Sequence, residues 1–187
     1  MPFLKLILPF VLLSALLGCT QNSGVRAPYD VTIPAEYQLG TGDEVEITVY
    51  GEDELSGLYN VSAQGQIAFP LIGNVDVEGL SVPVTEQRLA ELLKDGYLKD
   101  PSVSLEVLAY RPFFILGEVR EPGSYAYVSD MSVLNAAALA GGFTYRANKK
   151  MVDIRRKVQS GELIYEDLPI QTKVLPGDII TINERFF

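Results

Sequence analysis

Few residues in this chain could carry out covalent or acid–base chemistry. Cys19 is the only cysteine among 187 residues, and the chain contains no histidine and no tryptophan. These counts exclude a serine–histidine–acid triad, a Cys/His dyad and a histidine metal site. They also exclude a disulfide within the chain. We therefore expect no catalytic residue, no metal and no cofactor, and we predict that the chain is not an enzyme.

Carboxylates are the remaining candidates for acid–base chemistry. Three acidic residues, 52–54, follow a predicted strand directly. Glycoside hydrolysis needs two carboxylates that face each other across a cleft, and the sequence places no partner opposite this group. Asp43, Glu44 and Glu46 are equally weak metal ligands, because no segment has the spacing of a calcium loop. We interpret the 52–54 group as a solvated loop.

A basic segment lies in the second half of the chain. Six of the 15 basic residues fall within the 12 positions from Arg146 to Lys157. One interpretation is a solvated hairpin. The other pairs Arg155 and Arg156 of one subunit with Glu44 and Glu46 of the next. Such a head-to-tail contact joins two different patches and can close a ring, and opposite charge would fix its register.

Aromatic residues of the second half could stack on sugar rings, although core packing is the commoner role. The aromatic candidates are Tyr110, Phe113, Phe114, Tyr125, Tyr127, Phe143 and Tyr145.

The net charge of −9 is the wrong sign for a nucleic-acid partner.

Short strands and two helices are predicted to position these residues. Val45, Ile47 and Val49 alternate with polar residues, which is typical of a half-buried strand. Further strands are predicted within 66–70, 75–77, 103–107, 113–119, 152–158, 163–165 and 179–182.

The first helix is predicted to begin after Ser81 and to end at Gly96. Its expected apolar face consists of Thr85, Leu89, Leu92 and Leu93. The second is predicted to be capped by Asp130 or Ser132 and to end at Gly141-Gly142, with Val133, Leu134, Ala137 and Ala138 on its apolar face. The predicted fold class is α+β, with two small β-rich domains that each combine a mixed sheet with a crossing helix.

Two Gly-Asp turns form a weak internal echo. Gly42-Asp43 and Gly177-Asp178 each precede a β segment. Glycine permits the positive φ that such a turn needs, and aspartate can accept hydrogen bonds from the backbone amides beyond the turn. We interpret the echo as shared turn chemistry and not as a duplicated domain.

Several motifs together resemble the outer-membrane polysaccharide export family, the Wza-like lipoproteins. The first unit resembles the export domain through residues 37–43, 65–73 and 97–103. The second resembles the soluble-ligand-binding β-grasp (SLBB) domain through residues 115–119, 122–123, 140–142 and 175–178. The predicted organisation is an export domain over 35–108 and an SLBB domain over 109–187.

The first residues have the features of an exported lipoprotein. Lys5 precedes an apolar segment, 6–17, which is typical of a signal peptide and too short to span a membrane. Leu16-Leu17-Gly18-Cys19 resembles the lipobox of bacterial lipoproteins, although a plain secretory signal with an incidental cysteine is the alternative. The resemblance implies a signal peptide over 1–18, acylation of Cys19 with chains such as palmitate, and a tether over 19–34.

The resemblance implies a lipid-anchored component of capsule or exopolysaccharide export, held at the outer membrane and facing the periplasm. The residue after Cys19 is Thr20 and not aspartate, which by resemblance to the sorting rules of Gram-negative lipoproteins favours the outer membrane over the inner one. The implied partners are copies of this chain in a ring, an inner-membrane polysaccharide co-polymerase, a separate outer-membrane β-barrel porin and the polysaccharide itself. The sequence ends five residues after the last predicted strand, so a short-form member is expected. The alternative is a monomeric ligand-binding or adaptor lipoprotein.

Overall fold

A computed structural model describes residues 36–158 and 161–185. The predicted signal peptide, the tether and Cys19 lie outside the described residues. The strands are β1 (Glu44–Val49), β2 (Gly57–Asn60), β3 (Gln66–Phe69), β4 (Gly73–Asp76), β5 (Val103–Ala109), β6 (Phe113–Gly117), β7 (Gly123–Tyr125), β8 (Met151–Val158), β9 (Gly161–Pro169) and β10 (Ile179–Ile182). The helices are α1 (Val82–Lys94) and α2 (Val133–Leu139), and a short 3₁₀ turn covers Asp53–Leu55.

The first unit is a small antiparallel sheet with one helix. Its strand order is β2-β1-β5, and the β3–β4 hairpin forms a separate two-stranded ribbon. Val45, Ile47 and Val49 are buried on one face of β1, as the period of two predicts. Leu89 and Leu93 of α1 pack into the same hydrophobic cluster.

Helix α1 begins after Ser81, as predicted, although the Ser81 side chain makes no capping hydrogen bond. Thr85, Leu89 and Leu93 are buried, whereas Leu92 is 38% exposed. The period of 3.6 residues per turn explains the difference, because Leu92 and Leu93 are about 100° apart around the helix.

The second unit is a five-stranded sheet with the order β7-β6-β10-β8-β9. The β6–β10 pair is parallel and the remaining pairs are antiparallel, so the sheet is mixed. Helix α2 packs on one face of it, and the two together enclose a second hydrophobic cluster. The predicted α+β fold class is confirmed.

Helix α2 is fixed at its start by a reciprocal cap. The Asn135 backbone N–H donates to the Ser132 hydroxyl, and the Ser132 N–H donates to Asn135 Oδ1. The predicted apolar face is partly wrong, because Leu134 is 49% exposed and Ala138 is also exposed. The buried residues follow helical spacing strictly, at i, i+3, i+4 and i+7: Val133, Ala136, Ala137 and Ala140.

Candidate functional site

An acidic face covers the outer side of the first sheet. Glu46 is exposed on β1 and lies opposite Glu106 of β5 and Leu58 of β2. Like charges directly opposite each other destabilise a sheet. Within residues 36–158 and 161–185, neither carboxylate has a cation within salt-bridge distance. Glu44 lies on the same face and is half-buried, so this surface carries charge that the described residues do not neutralise.

Arg155 lies on the outer face of the second sheet, which is not the face that α2 covers. Its side chain is 50% exposed, and its Nε lies 3.9 Å from Glu162 Oε1. Across the sheet it is flanked by Ile179 of β10 and Ile164 of β9. This outer face therefore combines a loosely paired cation with apolar neighbours.

The expected position of Arg156 on an exposed basic surface is wrong. Its side chain is only 5% exposed, and its Nε and Nη2 donate to the two carboxylate oxygens of Asp178 at 2.8 and 2.7 Å. The reason is the strand period, since Arg156 has the same parity in β8 as the buried Val152 and Ile154. Arg155 and Arg156 therefore face opposite sides of the sheet.

The rest of the basic segment is divided among separate contacts. Arg146 pairs with Glu118 at 3.0 Å and with Glu184 at 3.2 Å. Lys157 of the second unit pairs with Glu78 of the first at 2.8 Å. The segment is therefore not one continuous basic surface.

Glu118 also accepts a hydrogen bond from the Thr144 hydroxyl. This bond first, and the bond from Arg146 next, hold the pKa of the Glu118 carboxyl below its usual value. The carboxylate at this position is therefore stabilised in its ionised form by its two neighbours.

Most of the aromatic candidates for sugar stacking belong to the core. Phe113 is buried, and Tyr125, Tyr127 and Phe143 pack against the same cluster. Phe114 and Tyr145 are exposed, at 42% and 80%. Core packing therefore accounts for the majority of the candidates.

The two Gly-Asp turns have the same internal geometry. In the first turn, the Gly40 N–H donates to Asp43 Oδ2 at 2.7 Å. In the second turn, the Leu175 N–H donates to Asp178 Oδ2 at 2.7 Å. Both aspartates are fully buried, and each is paired with an arginine: Asp43 with Arg111, and Asp178 with Arg156. The aspartates accept from backbone amides as predicted, but the predicted position of the local donors is wrong, because Gly40 and Leu175 precede their aspartates by three residues. Neither arginine partner is predicted from the turn sequence.

Arg111 lies where the two units meet. Its backbone N–H donates to Asp43 Oδ1 at 2.9 Å, and its Nη1 donates to Asp43 Oδ2 at 3.1 Å and to the Tyr37 hydroxyl oxygen at 2.7 Å. The Tyr37 hydroxyl in turn donates to Asp43 Oδ2 at 2.6 Å. Burial, followed by the hydrogen bond to Asp43, raises the pKa of Tyr37 well above its ordinary value. Tyr37 therefore remains a neutral donor in this network.

A groove of about 410 Å³ opens beside this junction. It is lined by residues of both units, among them Gly40, Glu78, Arg111, Lys157 and Gly177. Both of its cations are paired with carboxylates of the chain itself. The groove therefore offers no unpaired cation to an acidic ligand.

The remaining acidic candidates lie on the surface. Residues 52–54 are exposed and overlap the 3₁₀ turn, as expected of a solvated segment. In the part of the chain that the structure describes, no group of three acidic, histidine or cysteine side chains is placed to hold a metal ion. Neither described helix is long and apolar enough to cross a membrane.

The fold and its junction define a chain of two modules. The family model named polysaccharide biosynthesis/export protein matches residues 31–108, and the SLBB domain model matches residues 112–167. The chain belongs to the polysaccharide export family and carries an export domain followed by an SLBB domain. The family predicted from the sequence motifs is thus confirmed.

Curated relatives agree with this assignment. The exopolysaccharide production protein ExoF of Rhizobium meliloti is 33% identical over 119 residues, covering 57% of this chain and 28% of the relative. The polysialic acid transport protein KpsD of Escherichia coli is 29% identical over 138 residues, covering 72% and 25%. The EPS I polysaccharide export outer membrane protein EpsA of Ralstonia nicotianae is 28% identical over 187 aligned positions, covering 80% and 48%. This chain therefore spans about a quarter to a half of the length of these relatives.

Proposed function

We propose that this chain is a lipid-anchored ring component that passes polysaccharide towards a channel in the outer membrane. The observation that carries the proposal is the presence of an export domain and an SLBB domain in sequence order in one chain. Relatives named for exopolysaccharide production, polysialic acid transport and EPS I export support polysaccharide as the cargo. No step in this role requires a catalytic residue.

The proposed location is the periplasmic side of the outer membrane. EpsA, one of the relatives, is named an outer membrane protein. Acylated Cys19 would supply the anchor, with the export unit over 35–108 and the SLBB unit over 109–187 beneath it. One acyl chain binds a membrane only marginally, whereas additional chains make the attachment stable. The inner-membrane partner in this proposal is a polysaccharide co-polymerase.

An acidic sheet face and a second sheet face with an exposed, loosely paired cation support a head-to-tail ring. The acidic face of the first unit carries Glu44 and Glu46, while the outer face of the second unit carries Arg155. Both faces also expose apolar side chains, which a partner surface would cover. These are Leu58 at 60% and Leu108 at 49% on the acidic face, and Phe114 at 42%, Leu116 at 46% and Ile164 at 50% on the other. Different patches meeting in this way generate a closed ring when the rotation between copies closes.

The mass of the purified protein in mild detergent tests the ring. The lipidated full chain should elute as one large particle whose mass is an integer multiple of the protomer mass. A monomer at all concentrations would contradict the ring and favour the adaptor alternative. Mass spectrometry of the same sample should find acyl chains on Cys19, and an unmodified thiol would contradict the anchor.

A further inference from the structure

The segment that joins the two units is unusually well fixed. Residues 109–111 fall between the ranges that the two family models match. A three-residue connection of this kind would ordinarily let two small units rotate relative to each other. Here Tyr110 and Arg111 both contact the units on either side of them, so the connection is held in place by its own side chains.

The Arg111 guanidinium occupies a slot between two glycines, one from each Gly-Asp turn. A Cβ added at Gly40 would lie 2.3 Å from Arg111 Nη1 and 2.6 Å from its Cζ. A Cβ added at Gly177 would lie 2.9 Å from Arg111 Nε. Carbon atoms do not approach other heavy atoms this closely without a shift. The slot therefore exists because neither position carries a side chain.

Hydrogen bonds fix Arg111 to the first unit, and a backbone hydrogen bond fixes its chain neighbour Pro112 to the second turn. Asp43 and Tyr37 of the first unit accept from its Nη1. On the other side, the Gly177 N–H donates to the carbonyl of Pro112, the next residue in the chain, at 3.2 Å. The Arg111 side chain is 26% exposed, and its Asp43 partner is fully buried. A displaced guanidinium would therefore lose bonds that solvent replaces only in part.

Two further contacts bridge the same gap. The Tyr110 ring lies edge-on to Tyr37 of the first unit, with centroids 4.8 Å apart, and to Tyr127 of the second, at 5.4 Å. The Lys157–Glu78 ion pair joins the units at the surface. The exposed ion pair is worth little by itself, and the aromatic contacts do not depend on the two glycines. Arg111 is the residue that contacts both turns.

We propose that Arg111 is a positioning residue that sets the angle between the export unit and the SLBB unit, with Gly40 and Gly177 as its paired cradle. The planar guanidinium acts as a spacer that both turns contact, so the units hold one relative orientation. In a closed ring the shape of the protomer determines whether successive copies close. That last consequence rests on the proposed function, whereas the angle itself is a property of a single chain.

Single-molecule fluorescence transfer tests the angle at picomolar concentration, where each chain is observed alone. Cys19→Ser removes the native thiol of the full chain. Ala63→Cys and Gln171→Cys then supply one dye-labelling site in each unit, both at exposed positions. The matched control is Arg120→Ala, which removes an exposed arginine that lies in neither turn. The parent and this control should each give one narrow transfer-efficiency peak. Arg111→Ala should shift and broaden that peak while the circular dichroism spectrum stays unchanged. An unshifted peak in folded Arg111→Ala would overturn the proposal.

A double-substitution cycle separates the slot from general stability. Gly40→Ala is a clean steric probe, because Gly40 does not have a positive φ. It should shift the peak in the parent and have no further effect in the Arg111→Ala background. An equal shift in both backgrounds would mean that Gly40 acts independently of Arg111 and would contradict the cradle.

The lysine variant keeps the experiment decisive if Arg111→Ala does not fold. Arg111→Lys retains a charge facing Asp43 but lacks the planar group that fits between the two glycines. A shifted peak in Arg111→Lys supports the proposal, and a parental peak overturns it. Since all of these peaks are measured on isolated chains, they remain informative even if the protein forms no ring.

Discussion

Arg156 and Asp178 form a two-pronged ion pair in the interior of the SLBB unit, with Nε–Oδ1 and Nη2–Oδ2 distances of 2.8 and 2.7 Å. The pair connects β8 to the turn that precedes β10. It also leaves Arg156 Nη1 as the single buried side-chain nitrogen without a hydrogen-bond partner among residues 36–158 and 161–185. A surface role for this arginine is therefore incompatible with its position, whereas a role in holding the turn agrees with it.

Arg156→Ala should lower the free energy of unfolding by about 3–5 kcal/mol, because it leaves the buried Asp178 carboxylate without its cation. Arg155→Ala, on the exposed face of the same strand, is the matched control and should change it by less than about 0.5 kcal/mol. Urea unfolding followed by circular dichroism measures both values. Equal effects of the two substitutions would contradict the buried pair.

Removing the charge of Asp178 should recover part of that loss. In the double variant Arg156→Met, Asp178→Asn, no unpaired charge is buried, and the asparagine oxygen can still accept from the Leu175 N–H. The double variant should therefore be more stable to urea than Arg156→Met alone. If the double variant is less stable than Arg156→Met, the loss of stability in the single variant does not come from the unpaired Asp178 carboxylate.

Tyr37 should remain protonated at a pH where exposed tyrosines have ionised. Its pKa is raised above the ordinary value of 10.0 by burial and by the hydrogen bond to Asp43. A pKa that is higher in the folded state contributes stability that is complete below pH 10 and is lost as the pH rises towards the folded pKa. Tyr37→Phe should therefore weaken the fall in stability above pH 10, as measured by urea unfolding at pH 9, 10 and 11. If the free energy of unfolding of Tyr37→Phe falls with pH as steeply as that of the parent, the raised pKa of Tyr37 is contradicted.

Thr144→Val should raise the pKa of Glu118, because the Thr144 hydroxyl is the first cause of its lowered pKa. Arg146 remains in this variant, so the pKa should stay below that of an isolated glutamate. A carboxyl-carbon NMR titration measures the change directly. Thr48→Val, on an exposed strand position of the other unit, is the control and should leave the Glu118 titration where it is.

Charge reversal tests the head-to-tail contact. Arg155→Glu should reduce the fraction of large particles in detergent, because it places an acid opposite the acidic face that carries Glu44 and Glu46. Adding Glu46→Arg in the same chain restores opposite charges across the contact and should restore assembly. Arg156 is not a suitable position for this test, since its substitution would destabilise the fold. Assembly that is unaffected by Arg155→Glu would show that the ring uses another surface.

Strand and helix periodicity made much of the fold predictable. The alternation in β1 identified its buried face correctly, because a half-buried strand exposes every second residue. The same rule, applied to β8, would have placed Arg156 inside with Val152 and Ile154. The density of positive charge along this segment favours an exposed surface instead, which conflicts with that parity. The predicted apolar face of α2 is partly wrong because adjacent residues, such as Val133 and Leu134, lie about 100° apart around a helix.

The junction could not be predicted from local pattern. Arg111 lies 68 positions from Asp43 and 74 from Tyr37, so no window of the sequence contains both partners. Its slot exists because Gly40 and Gly177 carry no side chains. In the sequence these glycines are ordinary turn residues, and only the folded chain brings both of them against one guanidinium.

The location of polysaccharide in cells that lack this protein tests the central claim most directly. Total polysaccharide is measured in periplasmic and cell-surface fractions of the deletion strain, of the strain complemented with the parent gene, and of one complemented with Cys19→Ser. The account predicts polymer retained in the periplasm and lost from the surface after deletion, with recovery by the parent gene only. Normal surface polymer in the deletion strain, with none retained in the periplasm, would contradict it.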